Sequence, residues 1–307
     1  MNGVSRGTTW RMYKKHKFLF MMLLPALVYM FIFHYMPMYG ITIAFKNFNF
    51  SKGIWGSDWI GLDNFERLFG TSSSFLRVLR NTLVISGMKL VIVFSGCIVL
   101  ALLINEVKAK VFKRVVQNIS YLPHFISWVI IGSILVEMLS LSRGVVNQVI
   151  EMFGGTPIYF LTEKYWFLFI LVSSDMWQSI GWGSIIYLAA ISGVDPALYE
   201  SARMDGASRI RQMISITLPC IANVVAIMFI LQIGNILSAG FDQIFNLYNF
   251  RVYEVADIID TYAYRIGLSE GDFSLSTAVS LFKNVFGLIL VIITNYVAKR
   301  LGHTGLW

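Results

Sequence analysis

Asp175, Gln178 and Trp182, with Gln232, Asn235 and Asn284, are polar or aromatic residues set inside otherwise apolar runs. Planar amides, a carboxylate and an indole can exchange hydrogen bonds with the hydroxyl edge of a polar solute and cover its C–H face. That is recognition chemistry, with no bond made or broken. At about 100° per residue, Asp175, Gln178 and Trp182 fall on one face of a helix, and Met228, Gln232 and Asn235 share a face of another. Lys283 and Asn295 lie on the same run as Asn284. Amides in such runs also bond across to neighbouring helices, so each position has a packing reading beside the binding one.

A second set, Leu198, Tyr199, Glu200, Ala202, Arg203, Asp205 and Gly206, belongs to a polar, helix-coded stretch between two apolar runs. Asp195 suits a helix start because its carboxylate accepts from free backbone N–H groups, and Pro196 fits the first turn, where an N–H is dispensable. Gly206 can close the helix in the left-handed conformation. The expectation is a helix from Pro196 to about Asp205, roughly three turns, built to be gripped from the cytoplasm. The plain alternative is a solvated connector in which Glu200 and Arg203 form an i, i+3 ion pair worth a few tenths of a kcal/mol.

The elements that carry these residues follow from composition. The chain of 307 residues is 56% hydrophobic and 14% charged, with a mean hydropathy of +0.66, a balance that predicts an integral membrane protein of all-α class. Runs of about twenty apolar residues, the length that crosses about 30 Å of hydrocarbon, occur six times. They are Phe18 to Ala44, Thr82 to Ile104, Ile119 to Leu141, Trp166 to Ala190, Met213 to Leu237 and Thr277 to Val297. The first run follows Arg6, Arg11, Lys14, Lys15 and Lys17 as a signal peptide would, but it runs too long and lacks a small-x-small cleavage site, so it reads as an uncleaved anchor.

Basic residues set the orientation. With the N-terminal tail inside, the inner segments hold Lys108, Lys110, Lys113 and Arg114, then Arg203, Arg209 and Arg211, then Lys299 and Arg300. Both termini are expected in the cytoplasm. The net charge of +8 therefore reports topology and does not describe a nucleic-acid surface.

The sequence contains no phosphate-binding loop, zinc-binding His-Glu-x-x-His helix or Gly-x-Ser-x-Gly turn, so no catalytic residue, metal site or cofactor is assigned. His16, His34, His124 and His303 are scattered and read as interfacial residues, and Cys97 and Cys220 read as small apolar ones. Glu137 and Asp175 are intramembrane carboxylates of the kind that mark proton relays, but the matched repeats of a secondary carrier are missing.

Tyr199-Glu200-Ser201-Ala202-Arg203-Met204-Asp205-Gly206-Ala207, followed by Ile216 and Leu218-Pro219, resembles the cytoplasmic EAA loop of ABC importer permeases, with Ser201 at the middle Ala. Trp177-Gln178-x-x-Gly181-Trp182 and Ile186-Tyr187-Leu188-Ala189-Ala190 are similar to sugar permeases of the maltose-transporter type. Pro25-Ala26, Tyr35-x-Pro37-Met38-Tyr39-Gly40, Ala44-Phe45-Lys46 and Trp59-Ile60-Gly61-Leu62-Asp63-Asn64-Phe65 resemble the subgroup importing oligosaccharides from complex polysaccharides.

The resemblance implies a type I importer permease fold with six transmembrane helices in a bacterial inner membrane. It also implies a second homologous permease, an ATPase dimer that binds ATP and Mg, an extracellular or periplasmic solute-binding protein, and an oligosaccharide substrate. Glu200 is then the position that pairs with a basic residue of the ATPase, and Gly206 lets closure pass on as a rigid-body movement. The competing classes are a proton-coupled sugar carrier and a non-transporting receptor or assembly subunit.

The resulting divisions are a basic tail over 1–17, the first span over 18–44, an outer interfacial segment over 45–81, a five-span core over 82–300 with the coupling helix at about 196–205, and a tail over 301–307. In the outer segment Trp55, Trp59, Ile60, Leu62, Phe65, Leu68 and Phe69 suit the headgroup zone. The outer loop from Ser238 to Ser276 carries Asp242, Glu254, Asp257, Asp260, Glu270 and Asp272 against Arg251 and Arg265. It reads either as a contact for the binding protein or as a loop kept soluble by charge.

Overall fold

The computed structural model describes residues 15–70, 74–302 and 305–306. Arg6, Arg11, Lys14 and His303, with the rest of 1–14 and with Thr304 and Trp307, lie outside them. Among the described residues twelve helices of six residues or more carry the architecture. α1 (Lys17–Phe45) is followed by the short α2 (Asp63–Phe69), then α3 (Phe75–Glu106), α4 (Lys110–Phe125) and α5 (Trp128–Met138). α6 (Val145–Met152) leads to the long α7 (Lys164–Ser192), the connector α8 (Pro196–Met204) and α9 (Arg209–Gly234). α10 (Phe241–Leu247) and α11 (Ile259–Tyr264) precede α12 (Phe273–Arg300). Apart from helices the ordered pairing among described residues is a two-residue ribbon, Lys46 opposite Trp59 and Asn47 opposite Asp58.

Among the described residues four helices, α1, α3, α9 and α12, are long and apolar enough to cross a membrane, and α4 with α5 makes a fifth candidate as a broken pair. α7 has 29 residues, ample in length, but Ser173, Ser174, Asp175, Gln178 and Ser179 make its middle polar. Such a helix spans lipid only with that side turned to protein or to a cavity. α1 buries none of its residues before Ala44. Its last turns, Met36–Phe45, pack on α12, while the bare apolar stretch before them belongs against lipid or another subunit.

The third expected span, Ile119 to Leu141, is not one straight helix: α4 and α5 meet at a bend of 96°. Pro123 supplies no N–H, the helix tightens over Leu122–Phe125, and Ile126 and Ser127 are extended. α7 reaches over to repair the break, since Gln178 Nε2 donates to the carbonyl of Ile126 at 3.3 Å.

Small residues let the helices touch. A Cβ on Gly181 would strike the carbonyl of Ser120 on α4, one on Gly183 would meet Cys97 Sγ on α3, and one on Gly287 would come within 3.0 Å of the Gly234 carbonyl. Interhelical contact in lipid depends on such close approach because lipid tails are as apolar as the side chains they would replace.

The loop from Ser238 to Ser276 is more than a strand kept soluble by charge. It folds as a cap, with Leu247, Val252, Ala256, Ile258 and Ile259 buried against α3, α7 and α12. Four of its six carboxylates are engaged within the chain: Asp272 with Arg67, Glu254 with Lys164, Asp257 with Arg265, and Asp260 with Lys283. Lys164 holds the exposed Glu254 carboxyl below the usual carboxylate range, and Asp257 raises the Arg265 guanidinium above its ordinary value.

Candidate functional site: a membrane cavity and a capped connector

α3, α4, α7 and α9 enclose a cavity of about 350 Å³ closed on one side by residues 238–240. Asp175, Trp182, Gln232 and Asn235 line it as the face arguments expect, and Met228 does too. Gln178 does not. It is buried and faces the α4–α5 break, with its Oε1 accepting from Ser179 Oγ at 3.3 Å. On the helical wheel Ser179, Asp175 and Trp182 span about 60°, and Gln178 lies about 40° beyond Trp182, at the edge of that face and next to the α4–α5 break. Asn284 lines an adjacent pocket with Lys283, which shares Asn235 and Ser238 with the main cavity. Asn295 is buried near the inner end of α12, where its Oδ1 accepts from the backbone N–H of Leu306 at 2.7 Å.

Residues that single-helix arguments passed over complete the cavity. Lys89 of α3 points into it and donates to the Ala239 carbonyl at 2.8 Å and to Gln243 Oε1, with Asp175 Oδ2 at 3.7 Å. Gln243 in turn donates to the Leu171 carbonyl at 2.7 Å and to Ser174 Oγ at 2.9 Å. One ammonium therefore joins α3, α7 and the cap. A lysine inside an apolar run is itself a functional signal, and Lys89 carried that signal in the sequence. α3 widens into a π turn directly after it, Leu90–Phe94, and Leu90, Val93 and Phe94 face the cavity.

His124 departs from the interfacial reading. It lines the cavity, stacked on Trp182 with ring centroids 4.7 Å apart and planes 3° apart, and Phe125 meets the same indole edge-on. Trp182 stays 44% exposed, so one side of its ring system is open to a ligand. Cys97 is buried at the wall and Cys220 is exposed, both free, and the described residues hold no cluster of metal-ligating side chains.

The connector has the expected ends. Asp195 accepts from the Ala197 N–H at 2.9 Å, and α8 closes at Gly206, whose φ is +75°. The N–H groups of Gly206 and Ala207 return to the carbonyls of Arg203 and Ala202 at 3.0 and 2.9 Å, the double bond of a Schellman close. Tyr199 and Ala202 are half-buried; Tyr199 hydroxyl lies 2.9 Å from Thr217 Oγ1 in the π turn near the start of α9. Leu198, Glu200, Arg203 and Asp205 are exposed, and neither Glu200 nor Arg203 has an ion-pair partner among the described residues. α8 thus presents one face to its own bundle and leaves the other bare.

Comparison with known proteins follows the same outline. The profile of the family described as binding-protein-dependent transport system inner membrane component matches residues 92–303. The chain is 47% identical to the polygalacturonan/rhamnogalacturonan transport system permease protein YteP of Bacillus subtilis (strain 168), over 95% of this chain and 91% of that protein. It is 43% identical to protein LplB of the same organism, over 98% and 95%. A solved bacterial alginate ABC transporter in complex with an alginate pentasaccharide-bound periplasmic protein contains a chain with TM-score 0.89 and 42% identity, covering 97% of this chain and 99% of its own length.

Proposed function

The chain belongs to the inner-membrane components of binding-protein-dependent transport systems, and on that basis we propose that it forms one half of the translocation path of an ATP-driven oligosaccharide importer. It is a multi-pass transport subunit and performs no catalysis. The observation that carries the reading is the bare outer face of α8, locked to α9 at Tyr199 and closed at Gly206, in a chain that aligns almost end to end with permease relatives.

In this reading the chain crosses the membrane six times, with α7 as the polar span, α4 and α5 as one broken span, and both termini in the cytoplasm. An ATPase dimer loaded with ATP and Mg grips Leu198, Glu200, Arg203 and Asp205. A second permease covers α1 and the open side of the cavity, and a solute-binding protein delivers the sugar from outside. Asp175, Trp182, Gln232 and Asn235 meet the passing sugar, with Asn284 beside them; Gln178 supports the wall from behind. Lys89 next to Asp175 argues against that carboxylate as a proton relay.

The test is purification of the chain with its co-expressed operon partners, followed by uptake of alginate and galacturonan oligosaccharides into proteoliposomes. ATP-dependent uptake that requires the ATPase and the binding protein is the expected result. Uptake by the lone chain driven by a proton gradient would overturn the reading.

A further inference from the structure

Many hydroxyl groups on the membrane helices of this chain follow one habit, bonding back to a carbonyl of their own helix, while Ser179 and Ser276 bond to other protein groups. Ser120 returns to Val116, Ser133 to Val129, Ser174 to Ile170, Ser184 to Gly181 and Thr277 to Phe273. Such back-bonding is what a hydroxyl does where nothing else is present to satisfy it. Ser86 breaks the habit. It is 7% exposed, it lines the cavity, and its Oγ bonds to no protein group. Just one other buried side-chain polar atom among the described residues is left in that state, Nδ1 of His124, and His124 lines the same cavity. An unsatisfied buried polar atom costs about 1–3 kcal/mol; these two belong to residues lining one cavity, each atom with less than 1 Å² of its own surface accessible, and a side-chain rotation presents them to a ligand there.

We propose that Ser86 and His124 form a subsite that reads the hydroxyl groups of a saccharide unit as it passes through the cavity, an inference that rests on the cavity being the sugar path. A serine hydroxyl both donates and accepts, and an imidazole nitrogen does one or the other according to tautomer, so together they suit a sugar hydroxyl in either role. The stack on Trp182 fixes the imidazole, and the exposed part of the indole takes the C–H face of the same ring. Lys89 is occupied by Ala239 and Gln243 and has Asp175 beside it, so this side of the cavity is charge-balanced. The subsite therefore discriminates hydroxyl patterns rather than carboxylates.

The experiment uses the reconstituted complex and an oligosaccharide chosen from alginate, galacturonan and neutral panels because the wild-type complex transports it. Each such sugar is paired with its singly deoxygenated and O-methylated analogues. Loss of one hydroxyl contact should raise the transport KM of one analogue roughly three- to tenfold in the wild type. In Ser86→Ala and in His124→Phe, which keeps the stack, that discrimination should collapse toward unity, while Ser86→Thr and His124→Gln retain it. Unchanged discrimination in Ser86→Ala and His124→Phe, alongside altered uptake in Gln232→Ala, overturns the subsite and leaves the path reading standing. Unchanged transport in all of these variants overturns the path reading as well.

Discussion

The hydroxyl of Tyr199 lies 2.9 Å from Thr217 Oγ1, which fastens the inward face of α8 to the π turn near the start of α9. A push on the outer face of α8 is therefore delivered to α9, the helix that brings Gln232 and Asn235 to the cavity.

Glu200→Ala removes a charge from the exposed face of α8 without touching that bond. In the assembled importer, sugar-stimulated ATP hydrolysis should fall roughly tenfold or more, as when one partner of a desolvated charge pair is lost. Gly206→Val should act alike, because φ +75° strains any β-branched residue. Affinity of the binding protein for sugar, measured by calorimetry, should stay at the wild-type value. Normal ATPase stimulation in both variants would show that α8 is not the grip.

Gln178 and Gln232 should separate cleanly. Gln178→Ala frees the Ile126 carbonyl at the α4–α5 break, so it should lower thermal stability by about 1 kcal/mol with little change in which sugars are taken up. Gln232→Ala leaves packing intact and should shift uptake selectivity. A stable Gln178→Ala complex with altered selectivity would return that residue to the path.

Gly181→Ala should destabilise the bundle by about 1–3 kcal/mol, since its new methyl would collide with the backbone of Ser120 and α4 would have to move. Gly154→Ala, on an open turn with φ +78°, tests whether strain without a clash costs as much; fluorescence-detected melting of the detergent-solubilised protein should rank Gly181→Ala lower.

The cap offers an ion pair with a buried carboxylate and a half-buried guanidinium. Arg265 grips Asp257 through two bonds of 3.1 and 2.6 Å, and Asp257 is 1% exposed. Arg265→Met leaves that carboxylate uncompensated and should cost about 3–5 kcal/mol, whereas Asp257→Leu with Arg265→Met should recover much of it. A double variant no more stable than Arg265→Met would refute the pair as the cause.

The connector was legible because its signals are local: Asp195, Pro196 and Gly206 each act on the backbone within a turn of themselves. Four of the apolar runs were legible for the same reason; in the third Pro123 broke what composition joined, and the fourth folded as a helix with a polar middle. The cavity was harder to read. Ser86, Lys89 and His124 gain meaning through groups on other helices, and periodicity along one helix placed Gln178 on the wrong side by a fraction of a turn. The pairing of the acidic loop was hidden in the same way, since Arg67, Lys164 and Lys283, remote in sequence, answer its charges.

Lys89 gives the molecule a common bolt. Its ammonium is seated in the Ala239 carbonyl and the Gln243 amide above while it faces Asp175 alongside, so prising α3 away from α7 also unseats the lid. Cap and chamber are tied through one side chain: a movement that widens the gap between α3 and α7 strains the same bolt that holds residues 239–243 in place.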